Sequence, residues 1–153
     1  MKFLHKSLIT IALTTVLFIS CKDESNPVED QHEHFEPAGI MLIKGEDMVL
    51  KVFEGKVDST VAPNLKIPAG TSVDFVIKFI MEDGDISDMP DDADKELSWY
   101  VGDASVLELA KYAGDRKKLT FKSLKAGLSE LEIHLLHNGH VDFRTPKFTV
   151  IAE

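Results

Sequence analysis

The chain has 153 residues, with 17 Lys and Arg against 26 Asp and Glu, a formal charge of −9. That length favours one domain, and the acidic balance argues against nucleic acid, whose phosphates need a concentrated positive face. One cysteine rules out an intrachain disulfide framework and any cysteine-rich zinc site, and 44% hydrophobic content fits a packed domain.

The first element is a leader. Lys2 and Lys6 precede an apolar stretch, Leu8–Ile19, interrupted only by Thr10, Thr14 and Thr15. A short charged segment followed by an apolar one, too short to span a bilayer comfortably, is the pattern of a secretory signal over residues 1–20. Removing it would take the charge from −9 to −11, since both lysines go. Asp23–Gln31 is largely polar and holds Pro27, so residues 21–36 are expected to form a tether ahead of a domain at 37–153.

The run Leu17-Phe18-Ile19-Ser20-Cys21 resembles a bacterial lipobox. The resemblance implies cleavage before Cys21, a diacylglyceryl group on its thiol and acylation of the new amino group. It accounts for a single cysteine in this place. Acyl chains bury methylenes at roughly 0.8 kcal/mol each, so such an anchor is stable, whereas a strongly acidic body gains nothing from anionic headgroups. Cys21-Lys22-Asp23-Glu24 is similar to the export signal of Bacteroidota surface lipoproteins, which implies the outer membrane and leaves the side it faces open.

From Gly39 onward short apolar runs alternate with turn residues. The expected strands are Gly39–Ile43, Met48–Phe53, Leu65–Ile67, Val73–Ile80, Leu97–Val101, Val106–Leu109, Leu119–Phe121, Leu131–His137, His140–Phe143 and Phe148–Ile151. Val73, Phe75, Ile77 and Phe79 alternate with Asp74, Val76 and Lys78, the period of a half-buried strand, and Leu131–Leu135 repeats it. Pro68-Ala69-Gly70, Lys125-Ala126-Gly127 and Asn138-Gly139 mark turns. Many short strands so spaced predict an all-β antiparallel sandwich. Val106–Tyr112 reads equally as a helical turn.

Leu97-Ser98-Trp99, then Asp103-Ala104-Ser105-Val106, then Gly127 leading to Leu131, resembles the second half of bacterial Ig-like domains. The resemblance implies an Ig-like β-sandwich in which Trp99 packs without the usual cysteine pair. Glu82–Glu96 carries eight acidic residues with only Lys95 opposing them, and it lacks the glycine and glutamate positions of an EF-hand loop. It reads as a solvated, self-repelling loop, with weak Ca²⁺ binding as the sharper alternative.

Five of the six histidines fall into two groups, His32-Glu33-His34-Phe35-Glu36 and His134–His140. Asn-Gly between apolar runs predicts a two-residue type I′ hairpin, which sets His137 opposite His140 with Cβ atoms about 5 Å apart. On regular alternation Leu135 faces Asp142 on the same side, while His134 faces Phe143 on the other. His137, His140 and Asp142 then form one patch, which His34 and Glu36 would complete if the first strand runs beside the hairpin. Imidazole with carboxylate suits Zn²⁺, and clustered imidazole also suits Cu²⁺. Such a site weakens below about pH 6.5, where free imidazole protonates.

The pairing of His34, Glu36 and Gly39 with a terminal His137-x-Gly139-His140-x-Asp142-Phe143 hairpin resembles a family of uncharacterised bacterial lipoproteins found near outer-membrane transport systems. The resemblance strengthens the site and implies no particular activity; the histidines and the acidic balance lead to the expectation of an envelope protein that captures or buffers Zn²⁺ or Cu²⁺, for which a TonB-dependent transporter is a candidate partner. A metal-independent adhesion or transporter-accessory module is the alternative. No enzyme is expected: the chain has no Gly-x-Ser-x-Gly elbow, His-Glu-x-x-His helix or glycine-rich phosphate loop.

Overall fold

In the computed structural model the described residues, 35–153, hold twelve strands and no helix. The expected leader over residues 1–20, Cys21, His32 and His34 lie outside them. In order the strands are β1 Gly39–Lys44, β2 Asp47–Phe53, β3 Lys56–Val57, β4 Leu65–Ile67, β5 Ser72–Ile80, β6 Ile86–Ser87, β7 Lys95–Val101, β8 Leu107–Lys111, β9 Lys118–Ser123, β10 Gly127–His137, β11 His140–Arg144 and β12 Phe148–Ala152. Each expected strand is present. Two further strands of two residues, β3 and β6, are too short to leave a periodic signal.

The segment that read as helix or strand is β8. Leu107 and Leu109 are buried while Glu108 and Ala110 face outward, and Leu109 pairs with Phe121 of β9. Alternating burial against a neighbour decides the conformation, which seven residues of local pattern could not.

One sheet runs β3-β2-β1-β5-β9-β8, with β6 also on β5. The other runs β11-β10-β12-β4, with β7 on the far side of β10. β11 and β12 lie end to end along one side of the eleven-residue β10, which pairs with both. All pairs are antiparallel except β4 with β12, where Leu65 sits beside Val150 in parallel register. Strands β9 and β8 beside β5, and β7, β10 and the β11–β12 pair in the second sheet, make up the two sheets of a β-sandwich. The β1–β2 hairpin extends the first sheet beyond β5.

The core is what period two requires. Ile40, Leu42, Phe75, Ile77, Phe79 and Phe121 of one sheet face Leu97, Leu131, Ile133, Leu135, Phe148 and Val150 of the other, and all are buried. Each such side chain contributes about 1.5–3 kcal/mol by leaving water. Trp99 packs partly buried against this core with no cystine beside it. Phe35 also packs there, edge-on to Phe79 at 5.2 Å, so the packed body takes in a residue assigned above to the tether.

One end of the sandwich gathers the features of interest. Gly39 pairs with Ile80, Lys95 with His137, and the Asn138 amide donates to the Asp94 carbonyl at 2.9 Å. The lead-in segment at Phe35, the acidic loop and the β10–β11 turn therefore lie together.

Candidate metal site at the tip of the last hairpin

Asn138 and Gly139 have φ of 51° and 78°, the two positive values that a type I′ turn requires. The turn sets His137 directly opposite His140, as the sequence predicts. Beyond that pair the ladder departs from simple alternation. A bulge between Leu135 and Leu136 pairs Leu136 with Val141 and Leu135 with Phe143, leaving Asp142 as the extra residue without a partner.

This corrects three expectations. Phe143, not Asp142, is opposite Leu135, and Phe143 turns to the core, its ring edge-on to Phe79 at 6.2 Å. His134 faces Arg144 instead of Phe143. Asp142 nonetheless stays on the His137 side, its Oδ2 3.4 Å from His137 Nδ1. The physical reason is burial: regular alternation would expose Phe143, and the bulge lets both neighbours face inward. The mismatch between a polar Asp142 and an apolar Phe143 at the strand end is the one local signal that could have revealed it.

Lys95 is the residue that motif reading missed. It shares the inner face of β7 with Leu97 and Trp99, is only 4% exposed, and pairs across the sheet with His137. Its Nζ lies 3.7 Å from Asp142 Oδ2. A buried ammonium demands a counter-charge, and Asp142 supplies it. Period two from Leu97 and Trp99 places Lys95 inward, so the signal was present within the acidic run that masked it.

Asp142 Oδ2 thus faces two nitrogens, and the hairpin offers two opposed imidazoles. Among the described residues, no group of three or more His, Cys, Asp or Glu side chains could hold a metal ion. Glu36 is exposed on the lead-in segment and His34 lies outside the described residues. Phe35, the next residue after His34, and Phe143, the next after Asp142, pack against the same ring, that of Phe79. The chain therefore enters the sandwich beneath the hairpin.

His134, the remaining histidine of β10, is on the outer face but is not free there. Its side chain is 15% exposed and its Nε2 is 2.6 Å from Glu132 Oε1, which Arg144 Nε also approaches at 3.3 Å.

The acidic loop is also less isolated than its sequence suggests. Asp88 contacts Lys78 Nζ at 2.5 Å and Lys117 Nζ at 3.6 Å, and Lys117 reaches Asp91 at 3.6 Å. The hydrogen bond from Lys78, aided by the two ammonium charges, holds the Asp88 carboxyl below the ordinary aspartate value. Arg116 donates to the carbonyls of Asp92 (2.7 Å) and Lys95. The cations come from β5 and the β8–β9 turn, so sequence proximity to Lys95 alone could not reveal them.

Two open clefts lie between the edge strands β7 and β8. One, of about 410 Å³, is lined by Met89, Leu97, Tyr112 and Arg116 among others; the second, of about 500 Å³, by Trp99, Tyr100, Val101, Leu107 and Leu109. Neither is lined by a histidine. No protein-family model matches the chain, and no curated protein matches its sequence.

Proposed function

We propose that this chain is a cell-envelope Ig-like protein that takes up a divalent transition metal, zinc foremost and copper as the alternative, on His137 and His140. His34, with Glu36 beside it, supplies the remaining ligands from the lead-in segment. Lipid on Cys21 holds the protein at the outer membrane, where it buffers the metal or passes it to a TonB-dependent transporter. The observation that carries the reading is the directly opposed His137–His140 pair on a rigid two-residue turn. Two imidazoles pre-placed on a ladder need little reorganisation to share an ion, and an acidic loop alongside favours cations.

Calorimetric titration of the full chain with zinc tests this. One zinc per chain is expected, with affinity at least about tenfold weaker in His137→Ala/His140→Ala and in His34→Ala. Equal heats in the parent and the double variant would remove the site.

A metal-independent interaction module is favoured by a different observation, the open seam between β7 and β8 with Trp99 and Tyr100 along it. Co-purification of a transporter that survives excess EDTA and is lost in Tyr100→Asp would support this second reading.

A further inference from the structure

Resting on the second reading above, that of an interaction module, we propose that the outer edge of β7 takes up an extended segment of another protein as an added strand, one in which apolar residues alternate with lysine or arginine. The backbone phase of the edge comes first. The Gly102 amide donates to the Glu130 carbonyl at 2.8 Å and the Asn138 amide to the Asp94 carbonyl at 2.9 Å, and the β7–β10 register between them is unbroken. Hydrogen-bonded positions alternate in an antiparallel ladder, so Glu96, Ser98 and Tyr100 bond to β10. The amides and carbonyls of Leu97, Trp99 and Val101 point the other way, where no strand pairs with β7 among the described residues. Lys95 belongs to the same outward row and is already engaged: its carbonyl accepts from Arg116, and its amide donates to the Asp92 carbonyl at 3.2 Å. The free edge therefore begins at Leu97.

There is room beside that edge. Leu97 lines the cleft of about 410 Å³, and Trp99 and Val101 line that of about 500 Å³. A strand set about 4.8 Å from β7 turns every second side chain inward. Those side chains meet Leu107 and Leu109, which line the larger cleft from β8. From Leu97 to Val101 the edge also lacks the usual blocks, having no proline, no bulge and no inward-pointing charge. Strand β8 is an edge too, with Leu107, Leu109 and Lys111 as its outward row, but the lysine in that row discourages a further strand.

Charge sets the class of the partner. Glu108 is the one charged residue lining the larger cleft, and the chain as a whole carries −9. At the other end Glu96, on the outer face of β7, is paired with Lys111 of β8. Both side chains are exposed, and such a pair holds weakly, so a cation on an incoming strand can replace Lys111 at Glu96. Self-pairing of β7 would instead set two strongly acidic chains side by side. An extended backbone, apolar residues inward and basic residues outward satisfy the edge, the cleft and the charge together.

The test titrates the ¹⁵N-labelled full chain with a short, end-capped synthetic peptide of alternating valine and lysine, and with a control peptide carrying glutamate in place of lysine. Expected are slowed amide exchange at Leu97, Trp99 and Val101 and a change in the fluorescence of Trp99, the only tryptophan. The glutamate peptide should bind at least about tenfold more weakly. Glu108→Lys, at an exposed side chain, should weaken the lysine peptide about threefold to fivefold. Val101→Pro removes an outward amide and no ladder bond, and should weaken it about tenfold. If Val101→Pro does not fold, Glu108→Lys and the exchange of the three amides carry the test. No binding of the lysine peptide, binding that leaves those amides exchanging as before, or equal binding of the two peptides would overturn the proposal. So would a chain that sediments as a dimer with the same amides already protected, which assigns the edge to a second copy. The wider interaction reading stands or falls separately, on the transporter that co-purifies in excess EDTA.

Discussion

Asp142 approaches His137 to 3.4 Å although the two residues are not partners in the β10–β11 ladder. The contact exists because one extra residue is accommodated between Val141 and Phe143. A two-stranded ribbon with perfect alternation would have to choose between a polar residue at the core edge and an exposed phenylalanine. The bulge removes the choice, and it gives the tip of the hairpin a fixed polar cluster.

The turn that presents the histidines depends on left-handed backbone. Gly139, at φ 78°, has no atom within 4 Å of where a Cβ would stand, so strain and not crowding governs substitution. Gly139→Val is expected to cost about 1–3 kcal/mol in urea unfolding and to weaken zinc binding in the same protein, because the strand ends splay. Unchanged zinc affinity would detach the site from the turn.

Gly39 is required for a different reason. A Cβ there would collide with the Val52 carbonyl oxygen and lie 3.0 Å from Phe53 Cα, both backbone atoms of the paired β2. Backbone cannot rotate away as a side chain can. Gly39→Ala is expected to destabilise by about 2 kcal/mol or more in thermal or urea unfolding, even though alanine is the smallest change available.

The Ser123 hydroxyl is buried, and among the described residues no hydrogen-bond partner satisfies it. Its backbone amide bonds to the Thr71 carbonyl at 2.9 Å, which any residue would retain. Ser123→Ala is therefore expected to leave stability unchanged or to raise it by about 1 kcal/mol, measured by urea unfolding. A clear loss would reveal a partner for the hydroxyl.

The loop carboxylates link stability to pH. Asp88 is held below its ordinary value chiefly by the hydrogen bond from Lys78, and Asp115 chiefly by the Lys117 backbone amide. A carboxyl whose value is lower folded than unfolded contributes fully above the unfolded value, about 3.9. Its contribution then fades as pH falls through the lower, folded value. Acid unfolding of Asp88→Asn should accordingly show a smaller loss of stability below about pH 4 than the parent, with little difference in slope between pH 5 and 7. A parent and variant with superimposable acid limbs would remove Asp88 as a contributor.

Much of the architecture was legible in the chain itself. Alternation at Val73–Phe79 and Leu131–Leu135 marks strands because a half-buried sheet exposes every second residue, whatever its partner is. Asn138-Gly139 specified the turn and the His137–His140 opposition because positive φ at two successive positions is a local property. The Asp103-x-Ser105 signature is local too: the Asp103 carboxylate accepts from the Ser105 amide at 2.8 Å and hydroxyl at 2.6 Å, shaping the β7–β8 turn.

What the tertiary structure decided are relationships between residues far apart in sequence. The bulge follows from the demand of Phe79 for the Phe143 ring, 64 positions later. The ion pairs of Asp88 and Asp91 come from Lys78 and Lys117, the tie of the loop backbone from Arg116, and the pairing of Lys95 with Asp142 from a ladder that joins β7 to β10. Local pattern dictates which face a side chain takes, because backbone geometry repeats every two residues. Which charge waits across that face is a matter of which strands the packed core brings together.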